Sequence, residues 1–436
     1  MNATPSNSPE PSVPVVAVAQ RRLSSMFRSL RSRDFALFWG GNFLSNIGTW
    51  MQNLALGWVI LVMTNSPFLL GLNGFLTQAP SLLFSLPGGA IADRLNRRKL
   101  MLYTQTYMML LALILAVLTS FKVIRINEIL FISLLTGLAS ALNNPAYQAL
   151  YPDLVEREDL MNAVALNSAQ FNLSRAIGPM LAGLALGSLG AAWCFYLNSV
   201  SFMALIIPLM IIAVPHQHSG KLTGVWEAIL DGLRFVRQKP ILIILLTVPA
   251  FLSLLGLPFV VLMPAIARDM VHTGASGLGY LMAGAGLGAV TSALILASLE
   301  DPAHKVNWIL SSAALFSLAL ILLATVHSFW WAFVVLMVLG STMVGALALT
   351  NSTLQMSSPP ALRGRVMSMY NLAVLGLAPF GSLQMGTIGQ AWGMRIALAL
   401  GGSVCLVYFL SLLALLPRLQ RLATLPRSGR PETAGR

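Results

Sequence analysis

Apolar runs of about 20 residues or more recur along nearly the whole chain, each long enough to cross a hydrocarbon core of about 30 Å as a helix. Twelve are legible, at 34–62, 66–92, 98–119, 126–150, 162–188, 191–213, 241–267, 274–299, 306–325, 328–354, 364–391 and 393–416. Short connectors join them, so no soluble catalytic domain is appended. Only 9% of the 436 residues are charged, against about 25% in an ordinary soluble domain. An all-α membrane protein is expected, with the lipid bilayer as its solvent and no cleaved leader, because the first apolar run is too long and lacks a cleavage site.

The net charge of +13 does not point to nucleic acid, because of where it sits. Arg28, Arg31 and Arg33 precede the first span, Arg94, Arg97, Arg98 and Lys99 follow the second, Lys221, Arg234, Arg237 and Lys239 follow the sixth, and Arg418, Arg421 and Arg427 follow the last. The alternate loops hold little more than Lys122, Arg125, Arg268 and Arg395. Basic residues in every second loop are the positive-inside pattern, which places both termini in the cytoplasm.

The longest interior polar segment, 214–240, divides the spans into two sets of six. Its VWEAILDGLRFVRQK stretch sets Val225, Ile229, Leu233 and Val236 opposite Glu227, Asp231, Arg234 and Arg237, an amphipathic helix for the membrane surface. The expected organisation is a tail at 1–33, a six-helix bundle at 34–213, the linker at 214–240, a second bundle at 241–417 and a basic tail at 418–436. The halves echo each other: SPFLLG (66–71) answers SGLGYL (276–281), and SRAIGPMLAG (174–183) answers AVLGLAPFGS (373–382). Two repeated bundles about a central linker are a transporter architecture, with the cargo site near the midplane.

Several spans carry polar stripes at helical spacing. Asn42, Asn46, Thr49 and Asn53 lie along the first, Asn73, Thr77, Ser81 and Ser85 along the second, Asn143, Tyr147 and Tyr151 along the fourth, and Ser168, Asn172 and Arg175 along the fifth. An unpaired polar group in hydrocarbon costs several kcal/mol, so each stripe faces either another helix or a wet cavity. One stripe alone fits interhelical hydrogen bonding; several in parallel fit a cavity lined by Asn42, Asn46, Thr49, Asn53, Tyr147, Asn172 and Arg175. Arg175 lies about 20 Å along its span with no carboxylate at comparable depth; it reads either as a functional group that meets an anionic or carbonyl-rich cargo or as a structural guanidinium satisfied by the helix carbonyls freed before Pro179. Gly178 and Pro179 let the same span bend and pack closely.

Between spans two and three runs GGAIADRLNRRKL, residues 88–100. Gly89, Asp93, Arg94, Arg97 and Arg98 resemble the loop signature of the major facilitator superfamily, with Asn96 where that pattern usually has a second Gly; Asn tolerates the left-handed conformation such a turn can require. Asp93 at a helix end can pair with basic groups or cap a neighbour, a cytoplasmic latch with Arg94 and Arg97 that breaks as the bundles rock. Segments 34–58, 143–183 and 362–371 further resemble the secretion-effector branch, which includes enterobactin-exporter-like and macrolide-efflux-type proteins. The resemblance spans nearly all of 30–418. It implies a major facilitator fold of twelve transmembrane helices in two six-helix bundles, and a monomeric exporter of a siderophore-like or drug-like small molecule in a bacterial inner membrane, driven by proton antiport.

Proton coupling has the least support in the residues. No carboxylate lies in the interior of a span: Asp34 begins the first, Glu128 begins the fourth and Asp269 ends the seventh, and Asp34 is the coupling candidate. An importer or uniporter on the same scaffold, or a transport-inactive membrane scaffold, are the alternatives. Enzyme and cofactor readings are poor. GAGLG (284–288) imitates part of a dinucleotide fingerprint in mid-span, where close helix packing is the better account, and the five histidines fall in connectors or at span ends, so no metal and no cofactor are expected.

Overall fold

The computed structural model describes residues 27–94, 96–212, 234–237, 239–298 and 304–424; the side chains of 85–94, 297–298, 360–361 and 417–424 lie outside that description. The described residues are helical, with no strand among them. Before the linker come α1 (Arg33–Thr64), α2 (Pro67–Arg94), α3 (Arg97–Ser120), α4 (Ile126–Leu150), α5 (Leu160–Ser188) and α6 (Ala191–Ile211). After it come α7 (Pro240–Phe251, prolonged by irregular turns to Met270), α8 (Ala275–Ser298), α9 (Lys305–Ala324), α10 (Phe329–Ser357), α11 (Pro360–Asn371, continued by Ala378–Trp392) and α12 (Met394–Thr424). Ten of these have both the length and the hydropathy to cross a membrane. The other two, α2 and α5, are long enough at 28 and 29 residues but carry two of the polar stripes. Of the linker only a helical turn at 234–237 is described, so the amphipathic helix expected there lies mostly outside the described residues.

Local chemistry explains the boundaries. The Ser32 hydroxyl accepts the Phe35 N–H at 3.4 Å at the start of α1, and the Asn96 side chain accepts the Lys99 N–H at 3.1 Å at the start of α3, each filling an orphan donor of a first turn. Asn96 therefore stands in its loop as an N-cap with φ −65°. Asn96 itself is thus not in the left-handed conformation that its position allowed.

Two apolar runs are less regular than their hydropathy implied. In the seventh, α7 gives way to a π turn at Leu252–Gly256, a 3-10 turn at Leu257–Val260 and a second π turn at Ile266–Met270. Pro249, Pro258 and Pro264 each remove a backbone donor there, which breaks the regular ladder. In the eleventh, a π turn at Leu372–Gly376 separates the two helical pieces.

The first six helices pack mainly on one another, α1 on α6 and α5, α2 on α4, α3 on α6 and α4. Among the second six, α8 packs on α10 and α9 on α12 and α10. Across the halves, α5 packs on α8 and α2 on α11. Hydrogen bonds to side-chain amides tie helices within the first half. Asn198 donates to Gln52 at 2.8 Å, Ser133 to Asn73 at 2.6 Å, and Thr104 to Asn143 at 3.0 Å. The GAGLG stretch does pack closely on α10; a Cβ on Gly284 would lie 2.9 Å from the Phe333 ring.

The contacts between the halves gather toward one end, the end away from the chain termini. A Cβ on Gly183 of α5 would lie 2.5 Å from Gly279 Cα of α8. A Cβ on Gly386 of α11 would lie 2.9 Å from Gly71 Cα of α2, and one on Gly57 of α1 would lie 3.1 Å from the Pro264 ring. Only glycine admits a backbone that close. Burial changes along the same faces. On α5, Gly183 and Pro179 are buried, whereas Ala169, Ala165 and Met161, successive positions of that face at helical spacing, are exposed. On α8, Gly286 is buried, Val290 half-buried and Ala293 exposed. The halves are closed at the far end and part toward the end that carries the termini.

Candidate functional site

The cleft between the halves narrows to a recess lined by Asn172 and Arg175 of α5, Phe259 and Val260, Met282 and Gly286 of α8, and Met343 of α10. Its free volume of about 20 Å³ holds water and no organic cargo, so a cargo would occupy the wider cleft and reach the recess with one group. Arg175 is the charge at this point. Its Nη2 donates to the Met343 sulfur at 3.3 Å, and its guanidinium lies 5.7 Å from the centroid of the Trp50 ring. Phe171 meets the same indole edge-on at 6.0 Å. A thioether is a weak acceptor, and among the described residues no carboxylate pairs with Arg175. The guanidinium is thus held by soft, polarisable surfaces, with donors left for a stronger acceptor.

The stripe on α1 divides between two fates. Asn42 is buried, and its amide donates to the Tyr147 hydroxyl at 3.0 Å; that hydroxyl donates in turn to Asn167. These three join α1, α4 and α5 inside the first half. Thr49 bonds back to the Ser45 carbonyl at 3.0 Å, and Asn172 to the Ser168 carbonyl at 2.8 Å. Asn46 is half-buried and Asn53 exposed, and neither side chain hydrogen-bonds among the described residues. Both lie on the helix face of Gly57, which meets Pro264 of the second half, so they face the cleft. Trp50 lies on that face too, a residue that the polar pattern passed over because an indole reads as apolar.

Gly178 and Pro179 are buried in α5, which runs through them as one helix. A Cβ on Gly178 would lie 2.5 Å from Trp50 Cβ. The glycine lets α5 approach α1 closely enough to bring Arg175 over the indole. Asp34 is half-buried in the first turn of α1, far along the helix from Trp50.

In the loop signature, the side chains of Gly89, Asp93 and Arg94 lie outside the described residues. Arg97 donates to Asp153 at 2.9 Å and to the Ala149 carbonyl at 3.2 Å, binding α3 to the end of α4. Arg98 donates to the carbonyls of Leu209 and, at 2.6 Å, Met210, capping α6. Asp153 was missed from sequence; its signal is an acid two residues past an aromatic helix end, opposite a basic loop. The same connection anchors the segment just before α1, since Arg28 pairs with Asp159 at 2.6 Å and Ser32 donates to the Leu154 carbonyl at 3.0 Å.

Comparison with known proteins agrees with this fold. Residues 24–433 match the family described as transmembrane secretion effector. The staphyloferrin A transporter of Staphylococcus aureus is 27% identical over 386 residues, covering 86% of this chain and 95% of that protein. The enterobactin exporter EntS of Shigella boydii is 26% identical over 390 residues, covering 88% and 92%. Among solved structures, a bacterial homologue of the human lysosomal transporter Spinster, in an inward-facing and unoccupied conformation, superposes with a TM-score of 0.68 at 15% identity, covering 91% of this chain and 99% of that one. The chain belongs to the transmembrane secretion effector family of the major facilitator superfamily, a family of multi-pass membrane transporters.

Proposed function

We propose that the protein exports a small organic molecule bearing an anionic group across a bacterial inner membrane, by alternating access and in exchange for protons. The observation that carries this reading is Arg175, a guanidinium at the narrowing of the cleft with an indole face and a thioether for partners. A charge at mid-membrane costs about 2.5–3.5 kcal/mol on insertion scales, and a carboxylate or catecholate would satisfy it with charge-assisted hydrogen bonds. The two siderophore-transporting relatives fit such a cargo. Basic residues in the loops at the termini-bearing end support a cytoplasmic placement of that end, so the cleft opens to the cytoplasm, the side from which an exporter loads. Asp93 and Arg94 serve as the cytoplasmic latch, with Arg97 bracing its base through Asp153 inside the first half, and Asp34 is the candidate proton carrier. The protein works as a monomer, with one cleft per chain.

The test is cellular accumulation of anionic siderophores, neutral macrolides and cationic dyes in cells with and without the protein. Export lowers accumulation of the anionic class, and a protonophore or Arg175→Ala restores it. Lowered accumulation that survives the protonophore removes proton antiport. Alanine changes along α1 that leave accumulation untouched favour a scaffold without transport.

A further inference from the structure

The α1–α2 turn consists of two residues, Asn65 and Ser66, and the second half grips both of them. Asn65 sits in the left-handed region at φ 50° and donates its N–H to the Leu61 carbonyl at 2.9 Å. Arg268, in the π turn Ile266–Met270 beyond α7, donates from one nitrogen, Nη1, to Asn65 Oδ1 at 2.6 Å and to the Leu61 carbonyl at 3.2 Å. Gln390, near the end of α11, accepts the Ser66 hydroxyl at 2.8 Å.

We propose that Arg268 is a positioning residue for transport, a clasp that holds the outer end of the path shut by capping α1 from the opposite half. The electrostatics suit the task. The Leu61 carbonyl lies in the last turn of α1, at the negative end of the helix dipole; it already accepts the Asn65 N–H, and its second lone pair takes the guanidinium, a strong donor to such an acceptor. The glycine contacts at this end bring only dispersion, individually small. The clasp adds directional bonds that break when the halves part.

Asp269 makes the clasp reversible. Its carboxylate accepts from Arg268 Nε at 2.6 Å and, being the next residue in the chain, moves with it. When the outer end opens, Arg268 gives up Asn65 and Leu61 but keeps an anionic partner, so opening strands no unpaired charge. The sequence left Arg268 as a stray cation in a loop that should hold few; its placement opposite a helix end accounts for it.

This inference rests on the alternating-access reading, and its test needs no cargo. In a background with Cys194→Ala and Cys405→Ala, Val260→Cys at the recess is labelled with a membrane-impermeant maleimide, in right-side-out and in inverted vesicles. Arg268→Ala is expected to raise the outer labelling rate about tenfold, the worth of losing charge-assisted hydrogen bonds at a half-exposed site. Arg268→Lys recovers part of the seal. Asn65→Asp, which gives Arg268 a charged acceptor, slows outer labelling below the parent rate, a change of sign that loss of folding does not produce. Outer labelling that is the same in Arg268→Ala, Asn65→Asp and the parent, while inverted vesicles still label, overturns the clasp and leaves alternating access standing. A Val260→Cys thiol reached from neither side in every variant overturns alternating access and the clasp with it.

Discussion

Arg175 of α5 reaches across the divide between the two halves and donates to the sulfur of Met343 on α10, with the indole of Trp50 on its other side. It therefore belongs to both halves at once, at the point where the cleft narrows. A stronger acceptor arriving from the cleft would draw it off the thioether, which links cargo occupancy to an interface contact. Arg175→Lys keeps the charge but loses the planar fork. We expect the concentration for half-maximal transport of an anionic cargo to rise about tenfold in Arg175→Lys and transport to vanish in Arg175→Ala, as measured by uptake into inverted vesicles.

Trp50 supplies a cation–π face worth about 0.5–2 kcal/mol. Trp50→Phe should keep much of cargo affinity, whereas Trp50→Leu should lower it about three- to thirtyfold. Equilibrium binding to the purified protein distinguishes the two, and equal losses in both would deny the aromatic face its role.

Gly183 and Gly279 meet backbone to backbone. Gly183→Val forces α5 and α8 apart at the closed end, with an overpacking cost of about 1–3 kcal/mol. The expected result is a lower Tm in detergent, with outer-side labelling of a recess cysteine faster than in the parent. Gly40, whose added Cβ meets nothing within 4 Å, is the control: inside a helix, Gly40→Ala should hold or raise Tm and leave outer labelling unchanged.

The Arg97–Asp153 pair joins α3 to the end of α4 within one half, with side-chain exposures of only 15% and 18%. Removing either partner leaves a poorly solvated charge, so Arg97→Ala and Asp153→Ala should each lower stability by about 1–3 kcal/mol. The double variant should cost less than their sum. Thermal unfolding of the four proteins measures the coupling, and strict additivity would mean that the pair contributes nothing as a pair.

Helices were the legible part of this chain, because the bilayer demands apolar length and internally bonded backbone. The run at 126–150 coincides with α4, and that at 191–213 overshoots α6, which ends at Ile211 with Ile212 already extended. The internal echoes were legible as kinship but not as contact; the structure pairs them crosswise, α2 with α11 and α5 with α8. Polar periodicity told which faces shun lipid, yet Asn42 found Tyr147 while Asn53, eleven positions on, faces the cleft. A helical period does not distinguish a neighbouring amide from water. Trp50 and Met343 read as ordinary apolar residues, and their role appears only once Arg175 lies between them. The π turns had no pattern of their own, since they arise where tertiary packing and proline disturb the ladder.

The most direct test of the central claim is uptake into inverted membrane vesicles of a tricarboxylate siderophore against its triamide analogue, under an imposed proton gradient, with the parent protein and Arg175→Ala. Gradient-dependent uptake of the carboxylate alone is expected, abolished by Arg175→Ala while the protein remains in the membrane. Equal uptake of both molecules, or carboxylate uptake indifferent to Arg175→Ala, would contradict that claim.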